Sequence, residues 1–119
     1  MALNDLKDVK ENDGKCYLYI EDNKAIGLIM GYLRRYDDID YFDYKCPKAG
    51  IISELIVTSK VRSTGIGRKL MEVMETYFKE KGCTHLFVDA FGYNDNAIKF
   101  YGKNGYHTRM YSMIKKIDE

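Results

Sequence analysis

Two glycines set beside two arginines carry the clearest chemistry in this sequence. They stand in the run Val61-Arg62-Ser63-Thr64-Gly65-Ile66-Gly67-Arg68-Lys69. The run follows an apolar stretch, Ile51 to Val57, that reads as a strand. It opens an amphipathic stretch, Ile66 to Lys81, that reads as a helix. A loop entering a helix N-terminus offers an anion both backbone N–H groups and a partial positive charge. Gly65 and Gly67 let the backbone come close without a Cβ in the way, and Arg62 and Arg68 add side-chain charge. The chemistry predicted is the binding of a pyrophosphate; a plain tight turn is the alternative. The spacing GxxxxGK(S/T) of a Walker loop is absent, and the G-x-G-x-x-G fingerprint of dinucleotide folds is not met.

A second constellation follows about thirty residues on: Asn94-x-x-Ala97-Ile98-x-Phe100-Tyr101-x-Lys103-x-Gly105-Tyr106. Asn94 or Asp95 is a helix N-cap, Ala97, Ile98, Phe100 and Tyr101 are apolar positions, and Asn104-Gly105 is a terminator. Cys16, Cys46 and Cys83 are odd in number, widely spaced and without a CxxC pair, so they predict free thiols in a reducing cytoplasm and no metal site.

The elements that must hold these residues can be read in order. Leu3, Leu6 and Val9 recur at helical spacing in a short polar segment without the features of a signal peptide. Cys16–Ile20 and Ala25 to about Arg35 read as an antiparallel hairpin about the polar turn Glu21–Lys24, with Gly27 and Gly31 marking bulges or close backbone approach. Tyr36 to Lys48 is a loop with Asp37, Asp38, Asp40 and Asp43 among aromatics; it reads as a solvated tip or as an attraction for a cationic acceptor. Gly50 to Thr58 is the third strand. On the helix that follows, Ile66, Leu70, Val73, Met74, Tyr77 and Phe78 form the apolar face, and Gly82 ends it. His85 to Phe91 is a strand parallel to the third, because a helical crossover joins them. Tyr106–Arg109 and Met110–Ile117 read as further strands. The whole is a mixed α/β domain, mainly antiparallel with one parallel crossover.

At 119 residues the chain is read as one domain, residues 1–119. A net charge of +1 gives no electrostatic reason to expect nucleic acid or an anionic membrane as partner. No apolar run approaches the roughly 20 residues of a membrane-spanning helix.

Taken together, the two constellations resemble the GNAT superfamily of acetyl-CoA-dependent N-acetyltransferases. Arg62, Gly65 and Gly67 match its (Arg/Gln)-x-x-Gly-x-(Gly/Ala) motif, and Asn94, Ala97, Tyr101, Gly105 and Tyr106 match its second motif. The resemblance covers about Cys16 to Ile117 and implies a GNAT-like sheet with a splayed parallel pair and flanking helices. The family usually begins with a strand and one or two helices on the acceptor side. That element is short or missing here, either because it lies outside this sequence or because the protein is minimal, and a homodimer partner is one source of that wall.

The resemblance also implies roles. Acetyl-CoA is the co-substrate, its pyrophosphate held by backbone groups of Arg62, Ser63, Thr64, Gly65, Ile66, Gly67 and Arg68. Its pantetheine arm pairs with Leu55, Ile56 and Val57 as an added strand would, with Asn94 and Ala97 contributing at the second helix. Tyr101 is the general acid for the leaving thiolate, a core tyrosine beside Phe100 being the alternative. Glu54 is the nearest carboxylate to act as base toward the attacking amine, a surface glutamate being the alternative. A backbone N–H near Ile56 or Val57 would meet the carbonyl oxyanion. The activity implied is acetyl transfer to a small-molecule or peptide amine by direct attack in a ternary complex, without metal. The competing readings are a non-catalytic acyl-CoA-binding module and a plain interaction domain.

Overall fold

Two left-handed residues in succession start the sheet. Asp22 and Asn23 hold φ of 50° and 64°, as a two-residue hairpin turn demands, and Asp and Asn tolerate this better than other residues with side chains. The turn joins β1 (Lys15–Glu21) to β2 (Lys24–Leu33), antiparallel. The computed structural model describes residues 10–11, 13–35, 47–58, 64–90 and 94–118. The helix expected over Leu3, Leu6 and Val9, the acidic tip from Asp37 to Asp43, and Cys46 lie outside these residues.

β3 (Ala49–Val57) pairs antiparallel with β2, and β4 (His85–Val88) pairs parallel with β3, in the order β1-β2-β3-β4. Helix α1 (Ile66–Glu80) makes the crossover between β3 and β4, and α2 (Asp95–Lys103) follows β4. This is the mixed α/β fold expected: a sheet with two antiparallel pairings and one parallel. The chain forms two compact units, Met1–Asp89 with the sheet and α1, and Ala90–Glu119 with α2. Among the described residues no helix is long and apolar enough to cross a membrane.

Burial on α1 falls on Ile66, Leu70, Met71, Met74 and Phe78, spaced as one stripe of a helix packed on a sheet. The expected apolar face was rotated from this stripe: Val73 is 43% exposed, and Met71, fully buried, takes a place in the core. The Phe78 ring packs against glycines. A Cβ on Gly50 would stand 2.6 Å from its ring, and one on Gly31 would stand 2.8 Å from the Ile51 carbonyl oxygen and 3.0 Å from the ring. Close approach therefore accounts for Gly31, which also adjoins an irregularity in the β2–β3 register.

α1 ends in a Schellman motif, with Gly82 N–H donating to the Lys79 carbonyl at 3.0 Å and Cys83 N–H to the Phe78 carbonyl at 2.9 Å. Cys16 and Cys83 are free thiols, and partial burial raises the pKa of both. Two further expectations are corrected. β4 ends at Val88 rather than running to Phe91, and residues 106–118 form no strand. Met110, Tyr111, Met113, Ile114 and Ile117 are all exposed; an apolar pattern makes a strand only where a neighbouring strand and a buried face meet it.

Candidate active site

The parallel ladder is shorter than the antiparallel one beside it. β3 and β4 are laddered from Ala49↔His85 to Ile52↔Val88, whereas β2 and β3 stay paired to Gly27↔Val57. From Ser53 to Val57, β3 therefore runs beyond the end of its ladder with β4. Its own irregularity sits at that point: Met30 pairs with Glu54 and Gly31 with Ile52, so Ser53 is an extra residue, a β-bulge. The Ser53 hydroxyl donates to the Met30 carbonyl at 3.3 Å. Gly27 faces α1, since a Cβ there would meet Leu70 and Ile66. Cross-strand partners share a face, so Val57, opposite Gly27, and Leu55, opposite Ile29, lie on the α1 side. Glu54 and Ile56, opposite Met30 and Leu28, lie on the other side. Glu54 is half-buried and Ile56 is exposed.

Gly65 is the N-cap of α1, with φ 86° and ψ 5° and no side-chain cap. A Cβ there would find nothing within 4 Å, so glycine is demanded by the left-handed backbone and not by crowding. The intrahelical ladder opens with Lys69 N–H donating to the Gly65 carbonyl at 3.1 Å. The N–H groups of Ile66, Gly67 and Arg68 come ahead of it, where a helix presents donors and a partial positive charge. No acidic residue stands in the first turn. The Ile66 side chain is buried, so only its backbone can serve a ligand. Thr64 is exposed. Arg68 is engaged on its own helix, with Nε 3.2 Å from Glu72 Oε1, both side chains exposed. Arg62 and Ser63 lie outside the described residues.

In the second unit, Asn94 is the N-cap of α2. Its Oδ1 accepts the Ala97 N–H at 3.1 Å and its carbonyl accepts the Ile98 N–H at 3.1 Å. Ala97 is half-buried. Tyr101, also half-buried, stands in the last turn between two rings, Phe100 at 5.5 Å and Tyr106 at 5.9 Å between centroids. The helix closes in a second Schellman motif, with Gly105 N–H to the Gly102 carbonyl at 3.2 Å and Tyr106 N–H to the Tyr101 carbonyl at 3.0 Å. Gly105 supplies the left-handed residue, at φ 92°. The closure bonds the Tyr101 carbonyl, and the Tyr106 ring that it brings round stands edge-on to the Tyr101 ring. Sequence reasoning named Asn104-Gly105 as the terminator and put Tyr106 in a strand; it missed the contact of the Tyr106 ring with Tyr101, for which the Gly-aromatic pair four and five residues after Tyr101 was the signal. It also missed Ser53, for which the only trace was Gly31 on the paired strand.

The profile of the acetyltransferase (GNAT) family matches residues 2–106. No curated protein matches this sequence as a relative. Among solved structures, a mutant of the BH1408 protein from Bacillus halodurans superposes with TM-score 0.79 at 22% identity, over 87% of this chain and 66% of its own. The aminoglycoside N-acetyltransferase AAC(6')-Iy in complex with CoA superposes with TM-score 0.78 at 17% identity, over 98% of this chain and 85% of its own. The aminoglycoside 6'-N-acetyltransferase AAC(6')-IG from Acinetobacter haemolyticus gives TM-score 0.74 at 20% identity, over 98% of this chain and 80% of its own. At these identities the likeness is one of fold. The chain thus spans 66% of the length of the Bacillus halodurans protein. The family profile covers most of the sequence and both motifs, and the chain belongs to the acetyltransferase (GNAT) family.

Proposed function

We propose that the protein is an N-acetyltransferase that moves an acetyl group from acetyl-CoA to a primary amine by direct attack within a ternary complex. The observation that carries this reading is the match of the GNAT family over residues 2–106. The end of the β3–β4 ladder at Ile52↔Val88 and the α1 N-terminus capped by a left-handed glycine both support it. The residues present fit acetyl-CoA: the space about Gly65 is open, and the first turn of α1 offers donors without a carboxylate to repel a pyrophosphate.

Backbone N–H groups of Thr64 to Arg68, with Arg62 and Ser63 before them, hold the pyrophosphate. Leu55, Ile56 and Val57 line the extended arm with backbone groups, and Asn94 and Ala97 contribute from α2. When bound, acetyl-CoA supplies a thioester carbonyl open to attack by a neutral amine. Glu54, directly or through a water, takes the proton that the amine nitrogen gives up as the C–N bond forms. Tyr101 donates its phenolic proton to the sulfur as the C–S bond breaks. A backbone N–H at Ile56 or Val57 donates to the carbonyl oxygen as it gains charge. Two neighbours are aminoglycoside acetyltransferases, so aminoglycosides head the acceptor classes, with other small amines and peptide amines beside them. The proposed setting is the cytoplasm.

The test is a broad panel of amines incubated with acetyl-CoA, with release of free thiol as readout. Acetyl-CoA-dependent thiol release with an amine supports transfer. Binding of acetyl-CoA in a titration calorimeter with no turnover on the panel would replace this reading by a non-catalytic acyl-CoA-binding module. Absence of binding would overturn both.

A further inference from the structure

β1 is a sheet edge with an unusual arrangement of side chains. Among the described residues it ladders to β2 alone. Its sequence, Lys15-Cys16-Tyr17-Leu18-Tyr19-Ile20-Glu21, carries charge only at its two ends, and of opposite sign. Natural edge strands are commonly blunted by a proline, an inward lysine or brevity. β4, the opposite edge, is four residues long. β1 has seven residues and no proline, and its one lysine, Lys15, stands at the first position on the α1 face, leaving Cys16 to Ile20 without a charge. Its pairing irregularity falls in β2, where Tyr19 pairs with Gly27 and Ile20 with Ala25, so Ile26 is the extra residue and β1 itself is unbroken.

We propose that β1 pairs antiparallel with β1 of a second copy of this chain, about a two-fold axis through Leu18, joining two sheets into one. Only this register sets Lys15 opposite Glu21 of the second copy at both ends at once. It also sets Cys16 opposite Ile20, Tyr17 opposite Tyr19, and Leu18 opposite itself. Every pair has the same parity, so each side chain meets its partner on its own face of the sheet. On the face away from α1, Leu18 and Ile20, exposed by 52% and 61%, bury one another across the axis. On the α1 face the joined strands bring four tyrosine side chains into a row. That row borders a groove of about 460 Å³ between β1 and α1, lined by Tyr17, Tyr19, Lys69, Val73 and Thr76 among others. Lys69 Nζ stands 5.8 Å from the Tyr19 ring centroid, so a cation already borders the aromatic row. The contact is isologous and closes at two copies. It stands independently of acyl transfer.

The experiment is sedimentation velocity on the full chain across about a hundredfold range of concentration, where a single strand pairing is expected at the weak end of specific interfaces. The wild-type chain should shift from monomer to dimer mass. Leu18→Lys sets two like charges on the axis and should remain monomeric throughout, with circular dichroism and melting unchanged. Lys15→Glu and Glu21→Lys should each raise the dissociation constant by roughly fivefold. Mixing these two single variants should restore wild-type affinity, since each end of the heterodimer then pairs opposite charges. A wild-type chain monomeric at every concentration overturns the proposal. So does a Leu18→Lys variant that dimerises as wild type. If Leu18→Lys fails to fold, the mixing experiment decides, and no recovery in the mixture refutes the register.

Discussion

At the scale of single residues, Gly65 and Tyr101 separate binding from chemistry. Gly65 has a left-handed backbone and open space around it. Gly65→Ala meets no clash and carries only the left-handed penalty, about 1–2 kcal/mol of stability, read as a lower denaturant midpoint. Gly65→Glu adds to that penalty a carboxylate facing the position proposed for a pyrophosphate, and acetyl-CoA binding should be lost in a titration calorimeter. Unchanged affinity in Gly65→Glu would remove this turn from the donor site. Tyr101 sits between Phe100 and Tyr106, and Tyr101→Phe keeps both ring contacts while removing the proposed proton. Turnover should drop roughly 10- to 100-fold with the KM for acetyl-CoA nearly constant. A KM that rises with kcat unchanged would make Tyr101 a packing residue.

At the scale of elements, glycine–aromatic contacts do the positioning. The Phe78 ring occupies the space that a side chain on Gly50 would need, at 2.6 Å. Gly50→Ala must push ring or strand aside, and about 1–3 kcal/mol of destabilisation is expected from overpacking. Phe78→Ala should cost about 3–5 kcal/mol by leaving a cavity. A Gly50→Ala, Phe78→Ala double variant less destabilised than the sum of the singles would confirm that the two share one space. Periodicity and turn residues made most of these elements readable. The alternation of β1 to β3, the polar turn at Asp22-Asn23, the Asn94 cap and the terminators Gly82 and Gly105 all act locally, so the sequence carries them openly. What it did not disclose depends on a neighbour. The rotation of the α1 stripe from Val73 to Met71 is set by where the helix rests on the sheet. The bulge at Ser53 is a property of two strands together. The missing strands after Tyr106 show the converse, an apolar pattern without a ladder. Of the candidate site, the glycine turn and the helix cap were legible because each is built from a few adjacent residues. That Glu54 and Ile56 lie on the face away from α1, and that the β3–β4 ladder stops short of both, required the register.

At the scale of the whole molecule, two contacts to Asp13 tie chain positions far apart and give stability a dependence on pH. The Tyr77 hydroxyl on α1 donates to the Asp13 carbonyl at 2.9 Å, and Lys81 Nζ lies 3.1 Å from Asp13 Oδ2, joining the end of α1 to the segment before β1. Burial first, and the negative charge of Asp13 second, raise the pKa of Tyr77 above its ordinary 10.0. The hydrogen bond and charge of Asp13 raise that of Lys81 above 10.5. Both folded-state values are raised, so the folded chain holds these protons more tightly than the unfolded chain. Their stabilisation is complete below about pH 10 and is lost as pH climbs through the raised values. Cys16 and Cys83, also raised, act with the same sign from about pH 9. Tyr77→Phe removes the tyrosine together with its own contribution to Lys81, while the cysteines titrate alike in both proteins. At pH 8 the variant should lose about 0.5–1.5 kcal/mol for the missing hydrogen bond. Between pH 10 and its alkaline unfolding its urea midpoint should fall less steeply than that of the wild type, so the two curves approach one another. Curves that stay parallel over that range would mean that the Tyr77 proton is no better held in the folded chain than in the unfolded one.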